Sequence, residues 1–212
     1  MKIINFISVY PTIELTKEII EFLNKNSDAI TATSAIIITF LAIKGVKEWQ
    51  LQTKGKTNYE IARRYLKAIL KLRDEIKYVR NPLITFSEME TALKESGFES
   101  ETYKDNMKTN VAVYSRRWKS VRKAWTNLEA ELLEVEVSWG IEAVKVSTPL
   151  IDSTKKLYWA LQSFLNNNHK NDIESIEDLI YDKGNSETPD VFFSDILNNI
   201  GKIKEFLKPH LL

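Results

Sequence analysis

The sequence predicts an all-α protein: an N-terminal transmembrane helix followed by a cytoplasmic antiparallel helical bundle with one long heptad-patterned helix. Three observations predict it. Six glycines and five prolines in 212 residues leave long uninterrupted elements and few turns. Apolar residues recur at helical spacing through most of the chain, while one stretch near the N-terminus is apolar around its whole circumference. An apolar content of 43% beside 28% charge marks a folded rather than a disordered chain.

Residues 1–27 read as a short extracytoplasmic tail. After Pro11, the apolar positions Ile13, Ile19, Ile20 and Leu23 alternate with Glu14, Lys17, Glu18 and Glu21, the pattern of an amphipathic helix on the outer membrane surface.

Residues 28–49 read as the span. Ala29–Ile43 carries no charge, and Lys44 can carry its ammonium outward to the headgroups while Trp49 takes an interfacial position. That gives about 20 residues and about 30 Å of helix, the thickness of the hydrocarbon layer. The run Ile36-Ile37-Ile38-Thr39-Phe40-Leu41 is apolar on every side, whereas a surface helix of a small soluble bundle needs a polar face. No small-x-small site follows Ile43, so a retained anchor is expected rather than a cleaved signal. Ala32, Ala35, Thr39 and Ala42 form a small-residue stripe, a candidate surface for self-association within the membrane.

Charge sets the orientation. Between Lys44 and Arg80 stand eleven basic residues against four acidic ones, which by the positive-inside rule puts residues 50–212 in the cytoplasm and the N-terminus outside. Lys54, Lys56, Arg63, Arg64 and Lys67 lie just inside the membrane, each worth about 1 kcal/mol against anionic lipid. From Asp172 to Asp195, eight acidic residues face one lysine, an acidic C-terminal arm.

In the body, Thr57 or Asn58 is expected to cap a helix carrying Ile61, Tyr65, Ile69, Leu72, Ile76 and Val79, which stops at Asn81-Pro82. A polar loop follows to about Glu101, with a short helix over Glu88–Leu93. The long helix carries Tyr103, Met107, Val111, Tyr114, Trp118, Val121, Trp125, Leu128, Leu132 and Val135 at heptad-like spacings of four and three. Gly140 interrupts it, and Ser147-Thr148-Pro149 starts another helix through Leu150, Thr154, Leu157, Leu161 and Phe164. Short helices over Ile173–Tyr181 and Val191–Leu207 close the chain.

Candidate chemistry is sparse. Without cysteine there are no disulfides, thiolate nucleophiles or Cys-based zinc sites. His169, in an asparagine-rich loop, and His210, near the C-terminus, have no partner at metal-ligand spacing and read as exposed loop histidines, and no pair of glycines is close enough to form a phosphate loop. Glu129, Glu131, Glu134 and Glu136 read as a solvated outer face. No catalytic residue, cofactor or metal is therefore expected. One run mixes cations with aromatics: Arg116, Arg117, Lys119, Arg122 and Lys123 around Trp118 and Trp125. The tryptophans fall on the apolar seam and are expected inside, while the cations project outward as a candidate binding face for nucleic acid, nucleotide, lipid or an acidic protein.

The run Trp49-Gln50-Leu51-Gln52-Thr53-Lys54-Gly55-Lys56 is followed by Ala62-Arg63-Arg64, Arg73-Asp74, Tyr78-Val79-Arg80-Asn81-Pro82 and a terminal Phe206-Leu207-Lys208-Pro209-His210-Leu211. In these stretches the chain resembles a group of uncharacterised bacterial proteins with one N-terminal span and a cytoplasmic helical body. The resemblance implies a bacterial inner-membrane protein and carries no activity across. The expected function is assembly at a membrane: self-association or recruitment of a protein partner, one version being a membrane effector in bacterial stress or phage defence. A nucleic-acid or nucleotide sensor on the basic face is the second expectation.

Overall fold

A computed structural model describes residues 10–98, 106–166, 173–182 and 190–211. Every regular element among them is an α-helix: α1 (Tyr10–Lys25), α2 (Ser27–Val79), α3 (Phe86–Glu95), α4 (Asn106–Trp139), α5 (Ile141–Lys145), α6 (Thr148–Leu165), α7 (Ile173–Ile180) and α8 (Val191–Leu211). The chain divides into two compact units, Met1–Lys54 and Gly55–Leu212.

The first unit holds α1 and the beginning of α2. Its apolar side chains are bare, with Ile36, Ile38 and Phe40 each about two-thirds exposed. The hydroxyls of Thr31, Thr33 and Thr39 donate to the carbonyls of Ser27, Ala29 and Ala35 one turn back, so these polar groups are satisfied inside the helix. Among the described residues α2 is the one helix long and apolar enough to cross a membrane, and none of its apolar window is buried.

No cap breaks α2 at Thr57 or Asn58, as the sequence had led us to expect; the helix runs from Ser27 through Gly45 and Gly55 to Val79. An interior glycine costs about 1 kcal/mol relative to alanine, too little to end a long helix unless a turn competes. Asn58 instead accepts a hydrogen bond at 3.2 Å from the Trp139 indole. The predicted stop at Asn81-Pro82 is observed.

The second unit packs one main core. Ile61, Tyr65, Ile69, Leu72 and Ile76 of α2 meet Val121, Leu128 and Val135 of α4, Leu150, Leu157 and Leu161 of α6, and Ile196, Ile200, Ile203 and Leu207 of α8. Tyr65 and Ser147, both buried, join their hydroxyls across this core. A smaller cluster of Ala92 and Leu93 with Ala112 and Val113 seats α3 on α4.

Helix α3 is longer than the predicted short segment because its ends are well made. The Thr85 hydroxyl accepts from the Glu88 amide at the N-terminus. At the other end the Phe98 and Gly97 amides return to the carbonyls of Leu93 and Lys94, with Gly97 at a φ of +74° that a side chain would resist. Thr85→Ala should cost about 1 kcal/mol and, for a chain of this size, lower Tm by about 2–4 °C in a thermal melt followed by circular dichroism.

The long helix differs in phase from the predicted seam. Met107 is exposed and Trp118 and Trp125 are only half-buried, whereas Tyr114, Arg117, Val121, Ala124, Leu128, Leu132 and Val135 are buried; Tyr103 lies outside the described residues. The true stripe steps three and four through Arg117 and Ala124. The tryptophans flank it.

Candidate functional site

The predicted juxtamembrane cations Lys44, Lys54, Lys56 and Arg63 are exposed, as is Trp49. Lys44 has Glu48 one turn on at 3.9 Å, a solvated pair worth little. Arg64 is exposed as well and reaches α4, with Glu131 at 3.2 Å and Glu134 at 3.9 Å. Ala32, Ala35, Thr39 and Ala42 are exposed.

The basic face is smaller than expected. Arg117 does not project outward: it is 1% exposed, and its fork donates to both Glu88 carboxylate oxygens, at 2.7 and 2.8 Å, and to the carbonyls of Asn81 and Leu83. Its guanidinium also lies over the rings of Tyr78 and Tyr114. A charge can be buried this deeply only when its donors are matched, which α3 and the Asn81–Leu83 turn accomplish. Arg117's hydrogen bonds hold the Glu88 carboxyl below its usual range, against the opposing pull of burial. Arg116 pairs with Glu95 at 3.2 Å at the rim of α3. Lys119, Arg122 and Lys123 remain exposed.

A second buried arginine was not singled out by sequence. Arg80, fully buried, donates to the carbonyls of Asp178, Leu179 and Tyr181 and to the carboxylate of Asp190, and it lies 4.9 Å from the Phe192 ring centre. The Asp182 amide donates back to the Arg80 carbonyl at 2.9 Å. Arg80 thus holds the C-terminal acidic segment at Asp178, Leu179, Tyr181 and Asp190, with Asp190 spent on the pair rather than displayed. No local pattern points to it, because the carbonyls it takes lie at the end of α7, 98 to 101 residues away.

The half-buried aromatics of α4 meet α6 in an open cleft of about 250 Å³. Trp118, Val121, Arg122 and Trp125 line one wall, and Thr154, Lys155 and Tyr158 the other. The Trp118 and Tyr158 rings lie 5.2 Å apart, tilted by 35°. Buried Thr154 donates its hydroxyl to the Leu150 carbonyl, and the rest of the lining is aromatic and aliphatic apart from Arg122 and Lys155.

His210 is not an exposed loop residue; it sits in α8 stacked on Trp139 with ring centres 4.2 Å apart. His169 lies outside the described residues. Among the described residues no three His, Asp or Glu side chains gather as a metal site. No protein-family model, curated protein or solved structure matches the chain.

Proposed function

We propose that this is a membrane-anchored, non-enzymatic helical protein of the bacterial inner membrane that presents Gly55–Leu212 on the cytoplasmic side and acts by self-association or by recruiting a protein partner. The observation that carries the reading is the apolar window of α2, none of which is covered by protein. A contiguous bare apolar surface of that length is costly in water and at home in hydrocarbon. The small-residue stripe within it can admit a second helix closely.

The orientation rests on the exposed cations Lys44, Lys54, Lys56 and Arg63 following the apolar segment. The version in which the chain is an effector of stress or phage defence rests on its anchor and helical body together; unchanged growth and membrane potential on overexpression, with a monomeric protein, would refute it. The nucleic-acid reading is weaker, because Arg117 is buried and Arg116 is paired.

Carbonate and high-salt extraction tests the anchor. The full chain is expected to stay with membranes through both washes, and a version beginning at Lys54 to be released. Release of the full chain would remove the anchor and the orientation with it.

A further inference from the structure

We propose that the cleft between α4 and α6 binds an acidic segment of a partner protein that inserts one bulky apolar side chain. The inference deepens the partner-recruitment reading and rests on it. Three features select this occupant.

Trp118, Trp125 and Tyr158 are residue types that dominate protein interfaces, and each is half-buried with part of its ring open. At about 250 Å³ the cleft falls below the ~300–1,000 Å³ of sites that enclose a whole small molecule, which suits a single anchoring side chain. The floor is apolar, with the Thr154 hydroxyl already used. A nucleobase seated there would find few polar partners for its edges, whereas a phenylalanine or leucine side chain needs none.

The rim supplies the sign of the partner's charge. Arg122 and Lys155, one on each wall, are exposed, and no described acidic side chain pairs with either. Two cations facing each other across an aromatic trough attract carboxylates flanking the anchor, and they raise the rate of encounter.

The test uses the full chain in detergent micelles and a labelled short peptide of alternating Asp and Glu with one central Phe, followed by fluorescence anisotropy. Saturable binding is expected, weakened at least about tenfold when the peptide Phe becomes Ala and when Arg122→Glu and Lys155→Glu are combined. Reversing Lys119 and Lys123, which lie on the same helix outside the cleft, should weaken it far less. Both pairs are exposed, so all variants should melt with the wild type. Equal binding of the Ala peptide, or equal loss from the two reversals, would overturn the proposal. So would preferential binding of oligothymidylate or of phosphatidylserine vesicles through Arg122 and Lys155. The readout does not depend on the anchor: carbonate release of a chain that still binds the peptide would remove the membrane reading and leave the cleft.

Discussion

Arg80→Ala should destabilise the Gly55–Leu212 unit by about 3–5 kcal/mol, the cost of removing one partner of a buried charge pair. Arg80 serves three carbonyls and the Asp190 carboxylate from a fully buried position, so its loss takes the donor from all three carbonyls and leaves Asp190 charged with only the Phe193 amide. Against a total stability of about 5–15 kcal/mol, that is a large fraction. At about 2–4 °C per kcal/mol the melting temperature should fall by roughly 10 °C, read by circular dichroism in detergent. Arg80→Lys should rescue little, because one ammonium cannot reproduce a fork aimed at separate oxygens. A Tm within about 2 °C of wild type for the alanine variant would refute this account of how α7 and the start of α8 are held.

The sequence made most of the helices legible because they end on residues with strong local preferences. Pro82 stops α2, Gly140 separates α4 from α5, and Ser147-Thr148-Pro149 opens α6. It misled at Gly55, where a weak helix former was read as a boundary although nothing in the surroundings favours a turn.

The phase of α4 was hidden for a different reason. Two interleaved stripes share Tyr114, Val121, Leu128, Leu132 and Val135; one runs through Trp118 and Trp125, the other through Arg117 and Ala124. Hydrophobicity favours the first. The second wins because alanine lets helices approach, and because Arg117 has a carboxylate and two carbonyls waiting at the start of α3 and in the turn before it. Those partners lie 29 to 36 residues away, beyond the reach of helical spacing. The same rotation turns the tryptophans from core residues into the walls of the α4–α6 cleft.

Arg117→Met should likewise cost about 3–5 kcal/mol at neutral pH, since it leaves Glu88 charged and nearly buried without its counter-ion. Its distinguishing feature is its pH dependence. In the native protein Glu88 titrates below its ordinary value because Arg117 stabilises the carboxylate. A folded pKa below the unfolded one of about 4.3 gives stability that is complete above the unfolded value and is lost as pH falls through the folded one. Without Arg117 the largest influence holding the Glu88 carboxyl down is gone, so the variant gains less from a charged Glu88 than the wild type does, although the Tyr78 hydroxyl still donates to it. The gap in Tm between wild type and Arg117→Met should therefore narrow as pH falls below about 4.3, where the wild type begins to lose what the pair contributes. Adding Glu88→Leu removes the stranded carboxylate and should recover part of the loss at pH 7, but not all of it, because the Asn81 and Leu83 carbonyls stay unpaired at about 1–3 kcal/mol each. A gap that is constant with pH, or a double variant no more stable than Arg117→Met, would mean that the cavity left by the lost side chain, rather than the pair, sets the cost.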